Sequence, residues 1–453
     1  MNKVAEAKRQ IAIVKAKRLS DLDLRRFGLI EIPIEVFELE WIESLVLGGE
    51  NAFSSDDNSE KSLLYTPIYN LRVVPPEIGK LKNLKKLNLS YNNYIFELPD
   101  SISDLTNLEI LNLRSTNLRK LPEISHLKKL RSLDLSDTNL DHFPKTINFL
   151  ENLQDLNLRY TNLGSLPYEI GQLKKLKNLD LFSSNLNEIP ATIGQLENLR
   201  SLDLRSNHLT VLPKELWQLK NLVNLDLSEN NLRNLSSDIG QLLNLEKFQL
   251  RFTALERIPH EVSQLENLRS LDLRSNHLTT LPNSVGDLKS LQSLDLRSNN
   301  LNSLPKDIGR LGNLEGLDLC SNNLKEIPAT IGQLENLRSL DLRSNHLTAL
   351  PKDFWKLKNL KDLDLSDNNL REIHIAIGEL RNLEGLDLCS NNLKEIPATI
   401  GQLENLRSLN LANLNSKEKQ NQNRIRSLPS TILKLKNLRN LGLDLDVIET
   451  PPP

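Results

Sequence analysis

The stretch ENLRSLDLRSNHLT occurs three times, at 197–210, 266–279 and 335–348, with successive copies 69 residues apart. That interval is three times 23, and nearly every other part of the chain from Leu19 onward is a looser copy of the same unit, LxxLxLxxNxLxxLPxxIGxLxN. A fixed period in this range constrains the chain to a stack of equivalent supersecondary units. One clear copy places Leu268, Leu271, Leu273, Asn276, Leu278, Leu281, Pro282, Val285 and Leu288 in sequence, and the next begins at Leu291.

The slots of the unit, numbered from its first leucine, can be read physically. LxLxx alternates apolar and polar side chains, the period of a half-buried strand. It should turn Leu271 and Leu273 inward and Asp272 and Arg274 outward. Pro282 fixes its own φ and ends the strand. PxxIGxL carries apolar residues three apart, which suits a short 3₁₀ turn. A single unit buries too little to offset the ordering of its backbone, so neighbours must supply the missing burial and strand pairing. Asparagine in the ninth slot (Asn207, Asn230, Asn276, Asn299, Asn322, Asn345, Asn368, Asn391) should point inward and satisfy backbone groups left unpaired by the turn. Thr116, Thr138, Thr161, Ser184 and Thr253 hold that slot elsewhere, and a hydroxyl can do part of the same work.

With LxxLxLxxN and LPxxIGxL in view, the chain resembles the leucine-rich repeat family. It is similar to the 23-residue class of Ras-binding and plant disease-resistance-like repeat proteins. The resemblance implies an α/β solenoid: a curved leucine-rich repeat horseshoe, with parallel strands on the concave face and short 3₁₀ or helical turns on the convex face. It says little about function, which resides in sites grafted onto a fold.

The expected organisation is an N-terminal capping helix over 1–18 and a repeat array of about 18 units over 19–453. Val4, Ala7, Ile11 and Val14 share one stripe of the helix. The helix either covers the first core layer or binds a partner. Two loop insertions interrupt the array, near 48–70 and 412–424, with 19 and nine extra residues. Each is either a tolerated excursion or a flap over the hollow. Ser236 and His374 stand where proline is expected, so those turns should be looser. Little sequence follows the last strand, and Val447 and Ile448 could partly cap it.

Lys plus Arg number 57 and Asp plus Glu 59. This balance gives no electrostatic reason to expect nucleic acid or an anionic membrane. No run of 18 apolar residues spans a membrane, and the amino terminus lacks the apolar core of a secretory signal. Cys320 and Cys389 lie three units apart, roughly 14 Å by strand spacing, beyond disulfide reach. Secreted members of the family carry paired-cysteine caps, which points this chain to a reducing, cytoplasmic location. The sequons at Asn88 and Asn234 would then be accidental.

Catalytic signatures are missing. Glu77-Ile78-Gly79-Lys80-Leu81 lacks the glycine and hydroxyl of a phosphate-binding loop, and His260-Glu261 lacks the second histidine of a zinc motif. His208, His277 and His346 recur too far apart for one metal. Neither cysteine has a base at a facing slot. No catalytic, cofactor or metal residue is assigned.

What remains is surface. The fifth slot is acidic in Asp134, Asp180, Asp203, Asp226, Asp272, Asp295, Asp318, Asp341, Asp364 and Asp387. The seventh is arginine in Arg114, Arg159, Arg205, Arg251, Arg274, Arg297 and Arg343. These columns are either a self-neutralising ladder or a recognition face. Tyr91, Tyr160, Phe182 and Phe252 take seventh or eighth slots, and Tyr160 and Phe182 could touch. Aromatics flanked by arginine are typical binding anchors, although packing against rim loops is the alternative. The candidate partner-binding residues are therefore Tyr91, Tyr160, Phe182, Arg205, Arg251, Phe252, Arg274, Arg297 and Arg343. The expected function is a non-enzymatic scaffold, monomeric, gripping a protein or peptide partner in its concave face. The alternative is the recognition subunit of a signalling system such as a small-GTPase or resistance-type switch.

Overall fold

The computed structural model describes residues 3–49, 69–413 and 422–444. Most of both insertions, and Val447 with Ile448, lie outside the described residues. The chain divides into two compact units, Met1–Leu225 and Asp226–Pro453.

In the first unit a helix, Lys3–Lys17, buries Ala7, Ile11 and Val14 against the first strand and the 3₁₀ turns beside it. Val4, expected on the same stripe, is instead 47% exposed, near the start of the helix. Lys8–Glu35 and Lys15–Glu38 ion pairs, both 2.6 Å, tie its polar flank to the 3₁₀ turn Ile34–Glu38. Three-residue strands then follow, one per repeat, from Asp21–Asp23 to Ser201–Asp203. They pair in parallel, with leucine opposite leucine at every step, as in Leu156↔Leu179 and Leu179↔Leu202. In the second unit the same construction runs from Lys247–Gln249 to Asn440–Gly442. The alternation is as expected, with Leu271 and Leu273 in the core.

PxxIGxL forms a five-residue 3₁₀ turn in repeat after repeat, such as Ala329–Gln333. Gly332 is required there, because a Cβ would lie 2.0 Å from the carbonyl oxygen of Asp353 in the next repeat. Trp355 stands in the equivalent slot one repeat later, and the following repeat has His374 where proline is usual. The two rings stack at 6.3 Å with 20° between planes. The turns at Ser236 and His374 are not loosened. Their φ and ψ match the proline turns, and each side chain caps its turn, Ser236 Oγ accepting from the Asp238 N–H and His374 Nδ1 from the Ala376 N–H. A side-chain acceptor replaces the rigidity lost with the ring.

The ninth slot joins one repeat to the next. Asn322 Nδ2 donates to the carbonyls of Leu296, Leu319 and Cys320 at 3.0, 3.0 and 3.3 Å, and its Oδ1 accepts from the Leu301 N–H at 3.1 Å. Asn207 does the same in the first unit, bonding Leu181, Leu204, Ser184 and Leu186. A hydroxyl makes fewer bonds: Thr138 donates once, to the Leu135 carbonyl, within its own repeat. After the second insertion Asn423 takes this role, donating to Leu388 and Leu411 and accepting from Leu393. Both insertions therefore fall between the eighth and ninth slots, since Gly49 and Tyr69 flank the first in the same register.

The amide's reach predicts a graded response. Asn322→Ala should lower unfolding free energy by about 2–4 kcal/mol, because it orphans buried carbonyls and an N–H in two repeats. Thr138→Ala should cost about 1 kcal/mol. Urea denaturation followed by circular dichroism measures both.

Candidate functional site on the strand face

The face presented by the strands is built from slots three, five and seven, followed by the eighth. The eighth residue has positive φ in repeat after repeat, for example Ser275 (55°), Ser298 (54°) and Ser344 (53°). This left-handed turn brings the next residue's amide inward, and serine or aspartate usually fills it. Tyr91 (61°), Tyr160 (54°) and Phe252 (53°) fill it with bulky rings, for which the left-handed region is a true outlier. Local strain of this kind is kept where the surroundings or function require it.

In the first unit Tyr160 is 52% exposed and packs edge-on against half-buried Phe182, with centroids 4.9 Å apart at 69°. Arg159 lies over both rings, at 5.6 and 5.0 Å, and Arg205 lies over Phe182 from the other side at 4.4 Å. Arg159, Phe182 and Arg205 are seventh-slot neighbours on consecutive strands. Tyr91 pairs with Arg114 at 5.4 Å, and Ser136 separates this pair from the larger cluster. The second unit holds the other candidates. Phe252 is 55% exposed and makes no ring contact among the described residues. Arg251 pairs with Glu229 at 3.3 Å. Arg274 reaches Asp272 at 2.9 Å, and Arg297 bridges Asp295 and Asp318 at 2.8 and 3.1 Å. Arg343 turns to the Cys320 sulfur at 3.3 and 3.4 Å, leaving Asp341 at 3.8 Å.

The fifth slot has a structural role that the sequence reading missed. Asp272, expected outward, is only 9% exposed, and its carboxylate accepts the Arg274 N–H at 3.2 Å. Asp180, Asp203 and Asp318 likewise hold the seventh-slot N–H of Phe182, Arg205 and Cys320. Asn112 and Asn157 do so for Arg114 and Arg159, so the slot requires an acceptor rather than a charge. The interchange of Asp and Asn at this slot was the available signal.

Sinking carboxylates in register raises their pKa. Asp180 is pushed up to about 7 by burial and by Asp203 on the adjoining strand, and Asp341 to about 6 by burial and its neighbours Asp364 and Asp318. Burial likewise raises Asp134, Asp272 and Asp318. Cys389 is pushed up to about 12 by burial and by Asp387, which suits an inert thiol rather than a nucleophile. Both cysteines are buried and unpaired. No group of three His, Cys, Asp or Glu suited to a metal ion occurs among the described residues, and none of their helices is long and apolar enough to cross a membrane.

Family models agree with this geometry. The "Leucine-rich repeat region" model matches residues 169–277 and 258–318, and the "Leucine rich repeat" model matches 82–140, 312–370 and 363–416. A solved Leptospira interrogans leucine-rich repeat protein is 38% identical, with a TM-score of 0.74, over 81% of this chain and 92% of that one. The chain belongs to the leucine-rich repeat family. The repeat array is also similar to the Arabidopsis thaliana receptor kinase HAESA, solved in complex with the peptide hormone IDA and the co-receptor SERK1. That likeness has 27% identity and a TM-score of 0.63, over 94% of this chain and 74% of that one. Receptor like protein 21 of Arabidopsis thaliana is 34% identical over 115 residues, 21% of this chain and 12% of that protein's length. The repeat family is a protein–protein interaction fold, and nothing in these likenesses shows catalytic activity.

The raised pKa of Asp180 sets a pH signature. Its folded state holds a proton that the unfolded chain gives up near pH 4, so its contribution to stability is full below that pH. It is lost as pH rises to about 7 and is constant above that value. Asp180→Asn keeps the acceptor for Phe182. The variant should be more stable than wild type at pH 8 by at least about 1 kcal/mol, the gap closing towards pH 4. Urea titrations across that range test this.

Proposed function

We propose that the protein is a non-enzymatic scaffold that binds a protein or peptide partner on the strand face, with Tyr160 and Phe182 of the first unit as anchors bracketed by Arg159 and Arg205. One observation carries the reading: an exposed tyrosine occupies a left-handed slot that serine and aspartate fill in neighbouring repeats, and it is held in place by a ring and a guanidinium. A residue that strains the backbone and leaves half its surface in water does not serve the core. Rigid aromatics packed edge to face lose little side-chain entropy on binding, which makes them effective hot spots. Phe252 and Arg251 offer a smaller anchor in the second unit, with Arg274, Arg297 and Arg343 held largely by their own carboxylates or by Cys320. Tyr91 with Arg114 offers another in the first.

HAESA's complex with a peptide hormone and a co-receptor favours a peptide occupant and a place in signalling. A small-GTPase or resistance-type switch on a separate chain remains the second form of that reading, and co-purification that depends on the bound nucleotide distinguishes it. The two unpaired thiols favour a reducing, cytoplasmic compartment.

Affinity purification from the native cell, with wild type beside Tyr160→Ala/Phe182→Ala, tests the site. The variant is expected to lose its main partner at least about tenfold while keeping its fold, since truncating paired aromatic anchors typically costs 2 kcal/mol or more of binding. An unchanged partner profile rules these anchors out.

A further inference from the structure

Just before each strand, the twenty-third slot normally holds an asparagine whose Nδ2 donates to a carbonyl of the preceding repeat. Asn152, Asn198, Asn313, Asn336 and Asn382 all do so, at 2.7 to 2.9 Å. Two repeats of the first unit break the rule in the same way, with Lys129 and Lys175 in that slot. Both are exposed, and each Nζ reaches back to the side-chain oxygen of the preceding repeat's asparagine, Lys129 to Asn107 at 2.7 Å and Lys175 to Asn152 at 2.6 Å. The fold does not require this, because asparagine does the structural work elsewhere.

Lys177, two residues on in the second slot of the next repeat, repeats the theme. In the second unit, second-slot cations face a glutamate on an adjacent repeat: Arg269–Glu246 at 3.6 Å, Arg338–Glu315 at 3.3 Å and Arg407–Glu384 at 3.0 Å. Lys177 instead meets Gln154, whose Oε1 accepts at 3.0 Å. The amide keeps the hydrogen bond and omits the charge. All three lysines are thus held by neutral oxygens, and none forms an ion pair among the described residues. Of the acids nearby, Glu109 faces Arg131 at 3.8 Å, Glu151 faces Lys128 at 3.9 Å, and Asp155 accepts from the Asn178 amide at 2.6 Å. In a chain with formal net charge −2, this is a local strip of lysines positioned by neutral oxygens and outside any ion pair among the described residues.

We infer that Lys129, Lys175 and Lys177 form a docking strip for an acidic polypeptide segment of a partner, a second contact surface beyond the aromatic anchors. Lys129 and Lys175 are two rungs apart, roughly 10 Å by strand spacing. That matches carboxylates three residues apart on an extended segment or two turns apart on a helix. The interleaved glutamates break up the strip, which disfavours a uniform polyanion such as duplex nucleic acid or an anionic bilayer and favours a peptide with spaced acids. Exposed charges of this kind raise association rate and specificity and are screened by salt.

The test uses the full chain and a fluorescein-labelled glutamate-rich peptide, read by fluorescence polarisation at low and high salt. The wild type is expected to bind at low salt and release as salt rises. K129Q/K175Q/K177Q should bind at least about tenfold more weakly, with an unchanged circular dichroism spectrum and a shallower salt dependence. Arg269→Gln/Arg338→Gln/Arg407→Gln, which removes paired cations, should leave binding intact. So should Tyr160→Ala/Phe182→Ala, which separates this strip from the anchors proposed above. Equal binding by the lysine variant overturns the inference, as does failure of the wild type to bind. Stronger lysine-dependent capture of duplex DNA or of phosphatidylserine-containing vesicles than of the peptide also overturns it.

Discussion

The molecule depends on a buried side-chain amide that belongs to two repeats at once. A repeat of 23 residues has a strand only three residues long, too short to hold its neighbour by ladder hydrogen bonds alone. The ninth-slot asparagine spans the gap: three carbonyls and an N–H, drawn from its own repeat and the preceding one, converge on one side chain in the leucine interior. Buried orphans there would cost about 1–3 kcal/mol each. The amide therefore turns nearest-neighbour stacking into registration directed by hydrogen bonds, and the leucines supply the bulk of the burial around it. The left-handed eighth residue serves the same end by steering the next side chain inward.

This logic explains which features were readable from the sequence. The strand, the proline stop, the 3₁₀ turn and the inward asparagine each rest on a property of one residue type at a fixed spacing, and each appears as expected. Three features depend on relations between repeats and were harder to see. Asp272 looked like an outward charge because alternation was taken at face value. The Asp–Asn interchange at that slot marked it as an acceptor for the N–H two residues on. Ser236 and His374 looked like losses of rigidity, yet a serine hydroxyl and an imidazole nitrogen cap the turn that proline would have stiffened. Trp217 and Trp355 each precede a missing proline by 19 residues, a coincidence in the sequence that anticipates the Trp355–His374 stack.

The candidate surface was partly legible. Tyr160 and Phe182 could be placed on adjacent strands by counting, and their contact follows from the register. Their strain was not legible, because no rule of composition announces that the eighth slot is left-handed. Among the seventh-slot arginines, Arg159 and Arg205 lie over aromatic rings while also pairing with Asp180 and Asp203, whereas Arg297 and Arg343 meet carboxylates or the Cys320 sulfur. What sets Arg159 and Arg205 apart is the ring of Phe182, which lies 23 residues from each.

The two insertions share one address, between the eighth residue and the ninth. Asn423 shows what that address allows: nine additional residues intervene, and the amide that closes the repeat is simply supplied from the far side. The chain leaves after its last ladder bond and returns at the knot, so length added there never enters the register. Such a joint is where a protein of this design can acquire new segments by evolution, or accept a grafted loop at the bench, while each rung keeps its own leucines.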